Sequence, residues 1–277
     1  MIVLANDGIS PSGKETLEEA GFTVITDKVE QGDLADYINS NDVVALLVRS
    51  ATTVRKDLID ACPGLKFIGR GGVGMDNIDV AYAREVGRTV ANTPASSSQS
   101  VAELVMGQLF SLARSTYDAN KNMPEIGASE FKLLKKKYGK GFELRGKTLG
   151  IVGFGRIGKS LATYALGAGM KVICYDVFDV DTKVSLDIQG HGEIEIDVDK
   201  VEMDVILKES DAISLHVPKQ QDGSAVIGER ELGMMKKGSI LVNAARGGVV
   251  DEDALMAALE SGHLAGAALD VFENEPT

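Results

Sequence analysis

The sequence has 277 residues, of which 44% are hydrophobic and 25% are charged, and its formal net charge at pH 7 is −12. This length and composition are typical of a soluble globular protein with room for two α/β domains. The negative charge argues against a nucleic-acid partner. No apolar run is long enough to span a membrane and no signal peptide is recognisable, so we expect a cytoplasmic protein. Cys62 and Cys174 are expected to be buried, reduced thiols.

In the first 95 residues, short apolar runs alternate with helical segments, as parallel βαβ units require. The predicted strands are residues 2–5, 42–48, 66–68 and 89–91. A helix over 80–86 is expected to be capped by Asp79 and to end at Gly87. We therefore predict a small α/β domain over residues 1–95.

A long helix is predicted over residues 101–114, followed by a polar, lysine-rich connection with a short helix at 130–137. The long helix has apolar stripes on two sides, and such a helix is usually buried on both. It is therefore a candidate contact between the subunits of a homodimer. Ser100 and Glu103 fit the capping-box pattern at the start of this helix, which favours a structural role for Glu103 over a catalytic one.

The pattern from residue 147 onward predicts a second, larger doubly wound domain, which we assign to residues 96–277. The predicted strands are 148–152, 171–175, 212–217, 240–243 and 267–271, and the predicted helices are 155–168, 229–235 and 252–260. Asp251 is expected to cap the last of these helices. The acidic stretch 179–204 alternates apolar and acidic residues without the ligand spacing of a calcium loop, which favours a solvated hairpin over a cation site.

A glycine-rich segment directly follows the strand at 148–152 and opens a helix. Gly153 permits a tight turn, Gly155 allows the backbone to approach a diphosphate, and Gly158 allows close packing of helix and strand. Asp176 ends the next strand. In dinucleotide-binding folds a carboxylate at this position accepts hydrogen bonds from the ribose hydroxyls, and its charge repels the extra phosphate of NADP. The arrangement predicts a Rossmann domain that binds NAD. A flavin or an S-adenosyl group could use a similar loop, but the rest of the chain argues against both.

Several further motifs follow one another along the chain. They are VRSAT (48–52), GRGGVGMDNID (69–79), NTP (92–94), ELRGKTLGIVGFGRIG (143–158), LHVP (215–218), NAARGGVVDEDAL (243–255) and AGAALDVFENEP (265–276). With these motifs, nearly the whole chain resembles the D-isomer-specific 2-hydroxyacid dehydrogenases, and most closely the D-3-phosphoglycerate dehydrogenases.

The resemblance implies roles for individual residues. Arg246 is expected to hold the substrate carboxylate, and Glu275 to orient a catalytic histidine. Positions that match substrate contacts of the family are Arg49, Gly72, Val73 and Gly74. Positions that match its cofactor contacts, besides the three glycines, are Arg156, Ile157, Asp176, Val217, Pro218, Ala244, Ala245 and Asp270. No metal is expected.

The family's catalytic histidine has no counterpart in the printed sequence, because it should follow Glu275 by a further stretch of chain. The three histidines present are His191, His216 and His263, and none matches that position. In the family, the chain also returns to complete the first domain, which is flavodoxin-like. We therefore expect an incomplete substrate domain, and we expect these 277 residues to bind NAD but to turn over slowly.

The resemblance implies NAD-dependent hydride transfer on a small D-2-hydroxy acid. The preferred substrate is 3-phosphoglycerate, oxidised to 3-phosphohydroxypyruvate in serine biosynthesis, with Arg49 and Arg70 as candidate partners of the phosphate. Two alternatives stay open. The chain could reduce glyoxylate, hydroxypyruvate or another 2-oxo acid, or it could be a non-enzymatic NAD-sensing binding protein.

Overall fold

A computed structural model of the chain describes residues 1–275. The chain divides into two compact units, of which the first comprises Met1–Ser97 and the second begins at Ser98. Each unit is built on a sheet of parallel strands with helices packed against it. The predicted α/β class with parallel sheets is therefore confirmed. Among the described residues, no helix is both long and apolar enough to cross a membrane.

The first unit contains five strands and four α-helices. These are β1 (Ile2–Ala5), α1 (Pro11–Glu19), β2 (Thr23–Ile25), α2 (Leu34–Ser40), β3 (Val43–Val48), α3 (Lys56–Ala61), β4 (Phe67–Arg70), α4 (Val80–Glu85) and β5 (Thr89–Asn92). The strand order is β2-β1-β3-β4-β5. The core is made of fully buried strand residues such as Leu4, Leu46 and Ile68, which pack with apolar residues of α2, α3 and α4.

The expected cap of α4 is absent. Asp79 precedes α4, but its side chain makes no capping bond to that helix. Its carboxylate instead accepts hydrogen bonds from the Lys56 main-chain N–H at 2.9 Å and from Arg55 Nη1 at 3.0 Å. Asp79 therefore caps the start of α3, because the chain brings that helix N-terminus within reach of the same carboxylate.

The second unit contains two long helices followed by a six-stranded sheet and a hairpin. These elements are α5 (Ser98–Arg114), α6 (Thr116–Tyr138), β6 (Thr148–Val152), α7 (Arg156–Gly167), β7 (Lys171–Tyr175), β8 (Lys183–Ile188), β9 (Gly192–Asp197), β10 (Asp199–Lys200), α8 (Met203–Glu209), β11 (Ala212–Leu215), α9 (Glu229–Met234), β12 (Ile240–Asn243), α10 (Glu252–Glu260) and β13 (Gly266–Leu269). The parallel sheet has the order β10-β7-β6-β11-β12-β13. The expected cap of α10 is confirmed, since Asp251 accepts from the Ala254 N–H at 2.9 Å.

Helix α5 differs from the expectation at its start and on its second side. It begins at Ser98, so Ser100 lies inside it, and Glu103 makes no capping box but accepts from the Tyr164 hydroxyl of α7 at 2.7 Å. One side of α5 is buried in the core, while Leu104 and Phe110 remain 40% and 48% exposed. The two-sided burial inferred from the apolar pattern is thus wrong for this chain taken alone.

The connection that we expected to contain only a short helix forms α6, which is kinked at Glu130. A straight helix would separate residues 118 and 137 by about 28 Å. Instead, Lys137 Nζ lies 2.6 Å from an Asp118 carboxylate oxygen, and the Tyr138 hydroxyl donates to the Asp118 carbonyl at 3.1 Å. The two halves of α6 therefore fold back on each other, and the expected helix at 130–137 corresponds to the second half.

The acidic stretch after β7 forms an antiparallel hairpin of β8 and β9, as the alternation predicts. His191 lies in its turn. The hairpin is not wholly solvated, since Val184 is buried against the cluster that includes residues of α7, whereas Ile188 and Ile194 near the tip are exposed. Within residues 1–275, no group of acidic, histidine or cysteine side chains is arranged to hold a metal ion. Both cysteines are buried and unpaired, as expected.

Candidate functional site

Five neighbouring strands of the second sheet end level with one another. The register pairs Val152 with both Tyr175 and Leu215, Leu215 with Asn243, and Asn243 with Leu269. Along β7, β6, β11, β12 and β13, the residues that follow these ends are Asp176, Gly153, His216, Ala244 and Asp270. This row spans about 19 Å at the usual strand spacing. The strand order reverses at β6, and ligands of open α/β sheets bind in the crevice at such a point.

The three glycines after β6 meet different constraints. A Cβ atom on Gly153, whose φ is +92°, would lie 2.5 Å from the His216 carbonyl oxygen, and one on Gly158 would lie 2.4 Å from the Gly153 carbonyl oxygen. Both positions therefore exclude a side chain because of the protein's own packing. A Cβ on Gly155 would meet no protein atom within 4 Å. The absence of a side chain there leaves open space beside the N-terminus of α7.

The N-terminus of α7 can hold an anion. Gly155 provides no side-chain cap, so the first N–H groups and the positive end of the helix dipole face this open space. Arg156, the first residue of the helix, is exposed and Ile157 is half-buried. A diphosphate bound at this position would bring its negative charge to these amides.

Asp176 is held by backbone amides on both sides. Its Oδ2 accepts from the Phe154 N–H at 2.7 Å, and its Oδ1 accepts from the Phe178 N–H at 3.0 Å. The carboxylate therefore ties the glycine-rich turn to the end of β7, which the sequence did not reveal. Each oxygen keeps a further lone pair, so the half-buried group can still accept from a ligand hydroxyl.

His216 directly follows β11, and its main chain packs against the glycine-rich turn. Its N–H donates to the Val152 carbonyl at 2.7 Å, and its Nε2 lies 2.9 Å from Ser214 Oγ. Burial lowers the pKa of His216 to about 4. The residue keeps some accessible surface, but its Nδ1 is buried and has no hydrogen-bond partner among the described residues. The ring is therefore neutral near pH 7.

Of the two residues that follow His216, Val217 is half-buried and Pro218 is exposed.

Asn243 closes the turn that carries Arg246. Its Oδ1 accepts from the Ala245 N–H and its Nδ2 donates to the Arg246 carbonyl, both at 3.1 Å. Ala245 is buried and Ala244 half-buried. Arg246 is half-buried, and its Nη1 donates to the Ala245 carbonyl at 2.7 Å. Asn243 was not among the residues singled out from the sequence, although it stands in the same motif as the arginine.

The segments that carry Arg246 and Glu275 are close together. A Cβ on Gly247 would lie 1.8 Å from the Phe272 carbonyl oxygen, so the turn after β12 packs directly on the segment after β13. Glu275 is exposed, and its Oε1 accepts from the Phe272 N–H at 2.8 Å. Both proposed catalytic residues are thereby linked through Phe272.

In the first unit, a cavity of about 730 Å³ opens at the carboxyl edge of the sheet. It is lined by residues at the ends of strands or just after them, among them Asp7, Arg49, Arg70, Asn92 and Thr93. Arg49 is exposed, and its guanidinium makes no ion pair with any described residue. The cavity thus combines a cationic rim with room for a small organic acid.

The loop that contains Gly72, Val73 and Gly74 follows β4 beside this cavity. The Asn92 side chain donates to the Val73 carbonyl at 2.6 Å, and the Thr93 N–H donates to the Gly72 carbonyl at 3.2 Å. Gly72 has a φ of +153°, and a Cβ on it would overlap the Arg70 guanidinium. The loop is therefore fixed by neighbours on β4 and β5, and Gly72 cannot be replaced without moving Arg70.

The fold and the strand-end geometry of the second unit define a Rossmann-type dinucleotide-binding domain. Residues 106–277 match the family model for the NAD binding domain of the D-isomer specific 2-hydroxyacid dehydrogenases. The chain belongs to this family. Its members are NAD-dependent oxidoreductases, which confirms the expected cofactor.

The names of the relatives refer to several different substrates. The chain is 44% identical to "Hydroxypyruvate reductase" of Thermotoga maritima, over 95% of this chain and 78% of the relative. It is 40% identical to "D-3-phosphoglycerate dehydrogenase" of Methanocaldococcus jannaschii, over 99% of this chain and 49% of the relative, so it spans about half the length of that protein. Among solved structures, D-lactate dehydrogenase from Aquifex aeolicus complexed with NAD and lactic acid is 32% identical, with a TM-score of 0.75 over 99% of this chain and 78% of that one.

Proposed function

We propose that this chain binds NAD at the row of strand ends in the second unit and catalyses hydride transfer between the cofactor and C2 of a small D-2-hydroxy acid. The observation that carries the proposal is the open space at Gly155, in front of uncapped amides of α7. An anionic diphosphate matches both the space and the charge of that helix end. When bound, the nicotinamide ring supplies the hydride acceptor or donor.

The remaining cofactor contacts follow from the same row. Arg156 and Ile157 lie at the start of α7, next to the proposed diphosphate. Asp176 stands where it can accept from ribose hydroxyls, and its charge disfavours a 2′-phosphate. Val217, Pro218, Ala244, Ala245 and Asp270 follow the ends of β11, β12 and β13. We assign these residues to the nicotinamide half of the cofactor.

For the reacting acid, we propose that Arg246 binds the carboxylate, because a guanidinium can donate two parallel hydrogen bonds to it. The turn closed by Asn243 fixes the main chain of this arginine. Glu275 would orient a histidine that exchanges the hydroxyl proton. His216 is a poor candidate for that base, since its pKa of about 4 leaves it a weak proton acceptor.

For the substrate, we propose 3-phosphoglycerate and its 2-oxo acid, within serine biosynthesis. Arg49 and Arg70 both line the cavity of the first unit, and its volume of about 730 Å³ exceeds what a two-carbon acid needs. The phosphoglycerate dehydrogenase relatives support this proposal. Hydroxypyruvate is the second candidate, favoured by the 44% identity to a relative of that name.

A test compares NADH oxidation by the purified chain with 3-phosphohydroxypyruvate, hydroxypyruvate and glyoxylate. We expect kcat/KM to be at least about tenfold higher for the phosphorylated acid, because ion pairing of the phosphate is worth about 1.4 kcal/mol or more. Arg49→Gln should remove most of this preference. Arg114→Gln, which deletes an exposed arginine of the second unit, is the matched control. Equal kcat/KM for the three acids would refute the phosphate assignment.

We also propose that the chain forms a homodimer through α5 and α6. Leu104 and Phe110 of α5 are exposed, as are Tyr117, Phe131 and Leu133 of α6. Exposed apolar side chains concentrated on neighbouring helices are typical of an interface. Light scattering after size exclusion should give twice the chain mass, and Phe110→Asp should shift it toward a monomer. A monomeric parent chain would refute this part of the proposal.

A further inference from the structure

The turn at residues 49–52 in the first unit is held from one side by a carboxylate. Asp7 lies just beyond β1, and its Oδ2 accepts from the main-chain N–H groups of Arg49 at 2.6 Å and Thr52 at 3.1 Å. Its Oδ1 accepts from the Thr52 hydroxyl at 2.7 Å. Asn6 adds a hydrogen bond to the same hydroxyl oxygen at 2.9 Å, within the buried part of the unit. The N–H groups at both ends of the turn are thus fixed.

The same turn is held from the other side by an amide. Asn77 Nδ2 donates to the Arg49 carbonyl at 2.8 Å and to the Thr52 carbonyl at 2.6 Å. Asn77 belongs to the segment after β4 that also contains Val73, whose carbonyl is held by Asn92. One side chain therefore connects the two segments that carry the proposed substrate contacts of this unit.

The two side chains are chemically complementary to the turn. A carboxylate only accepts hydrogen bonds and an amide NH₂ only donates them, so Asp7 suits the N–H groups and Asn77 the carbonyls. Burial alone would raise the pKa of Asp7, but the hydrogen bonds from Thr52 and from the Arg49 and Thr52 amides outweigh it and hold that pKa below its ordinary value. The carboxylate therefore stays ionised in the neutral range.

We propose that Asp7 and Asn77 are positioning residues that fix the main chain of Arg49, so that its guanidinium is aimed at the acid bound in the first-unit cavity. The inference rests on the proposed substrate role of Arg49. Such a clamp is useful because an arginine side chain is flexible, and fixing its main chain lowers the entropy lost when it binds. A displacement of about 1 Å at a binding group can cost up to about 100-fold in rate.

The test measures, by calorimetry, the affinity of NADH-saturated protein for 3-phosphoglycerate, which carries the phosphate assigned to Arg49 and cannot transfer a hydride to a cofactor that is already reduced. Asn77→Asp keeps the shape but turns both donors into acceptors that face two carbonyls. Asp7→Ala removes the carboxylate oxygens that accept from the Arg49 and Thr52 N–H groups. We expect each variant to weaken 3-phosphoglycerate binding by about tenfold or more, with the NADH affinity within about twofold of the parent. Asn77→Ala removes the two donors without adding a charge, and it replaces Asn77→Asp in the test if the aspartate variant does not fold.

Asn39→Asp is the matched control, because the Asn39 side chain donates a similar hydrogen bond, to the Ala61 carbonyl at 2.9 Å, elsewhere in the same unit. The affinity for 3-phosphoglycerate should be unchanged in this variant. If Asn39→Asp weakens 3-phosphoglycerate binding as much as Asn77→Asp does, the effect is general destabilisation and the positioning role is wrong.

A double-mutant cycle with Arg49→Ala separates the two levels of the inference. If Asn77 acts through Arg49, Asn77→Ala should cost less than about twofold in the Arg49→Ala background. Effects that multiply would overturn the positioning role. If Arg49→Ala alone leaves 3-phosphoglycerate binding unchanged, the substrate role of Arg49 fails. If Arg49→Ala weakens that binding but Asn77→Ala does not, only the positioning role fails.

Discussion

Alanine substitutions at Gly155 and Gly158 should show which glycine leaves space for the cofactor and which one is required by the packing of the protein itself. Gly155 has a φ of −79°, which alanine adopts without strain, and its Cβ would meet no protein atom within 4 Å. A Cβ on Gly158 would lie 2.4 Å from the Gly153 carbonyl oxygen and 3.1 Å from Ile151 Cγ2. The first substitution therefore fills only space proposed for the diphosphate, while the second pushes α7 away from β6.

The magnitudes follow from these contacts. Gly155→Ala should keep the parent's stability or add up to about 1 kcal/mol, because it restricts the unfolded chain. Its Cβ would displace the diphosphate from the helix amides, and we expect NAD affinity to fall by about 10- to 100-fold, or about 1.4–2.7 kcal/mol. Gly158→Ala should cost about 1–3 kcal/mol of stability through overpacking, which lowers Tm by about 3–10 °C.

Calorimetric titration with NADH and thermal unfolding of the same samples would test both variants. The expected pattern is a loss of affinity with an unchanged or slightly raised Tm for Gly155→Ala, and a loss of both affinity and Tm for Gly158→Ala. Parent-like NADH affinity in Gly155→Ala would refute the reasoning, because it would mean that the diphosphate does not approach the main chain at this position.

Three further outcomes are expected. Because the pKa of folded His216 is about 4 rather than about 6.5, the unfolded chain gains a proton first as pH falls. The free energy of unfolding should therefore drop by up to about 3 kcal/mol between about pH 6.5 and 4, and urea titrations should show a shallower drop for His216→Asn. Val184→Ala should cost about 0.5–2 kcal/mol in such titrations, whereas Ile194→Ala, at an exposed site of the same hairpin, should stay within about 0.5 kcal/mol. Cys62 and Cys174 should react with a thiol reagent only after denaturation, since both are buried and burial raises the pKa of Cys174 to about 11; rapid reaction of the folded chain would contradict their burial.

The sequence predicted the strands and the glycine-rich turn well because their determinants are local. The apolar runs of β6 and β7 specify buried parallel strands, and Gly153 and Gly158 stand within six residues of each other. A single motif therefore contains both the turn and the helix start. The structure shows that the glycines of this turn differ: packing excludes a side chain at Gly153 and Gly158 but not at Gly155. That distinction depends on what lies nearby in space, which a motif does not encode.

Local reasoning failed where a distant partner competes for the same side chain. Asp79 was expected to cap its own helix, but it bonds the Lys56 N–H, 23 residues earlier. Glu103 was expected in a capping box, but it accepts from the hydroxyl of Tyr164, 61 residues later. Helix α6 was underestimated because its sequence is polar and lysine-rich, while its ion pair between Asp118 and Lys137 forms only after the chain reverses.

The residues that sequence reasoning missed share one physical arrangement in the two units. In each, an arginine follows the end of a strand, and asparagine or aspartate side chains fix the main chain beside it. Asp7 and Asn77 do this for Arg49, and Asn243 does it for Arg246. The arginines are recognisable because their charge suggests an anion. The residues that hold them carry no such signal, since a polar residue after a strand is ordinary. If the arginines must be held in position to bind the acid, replacing Asp7, Asn77 or Asn243 should weaken acid binding, although none of these substitutions removes a cation from the site.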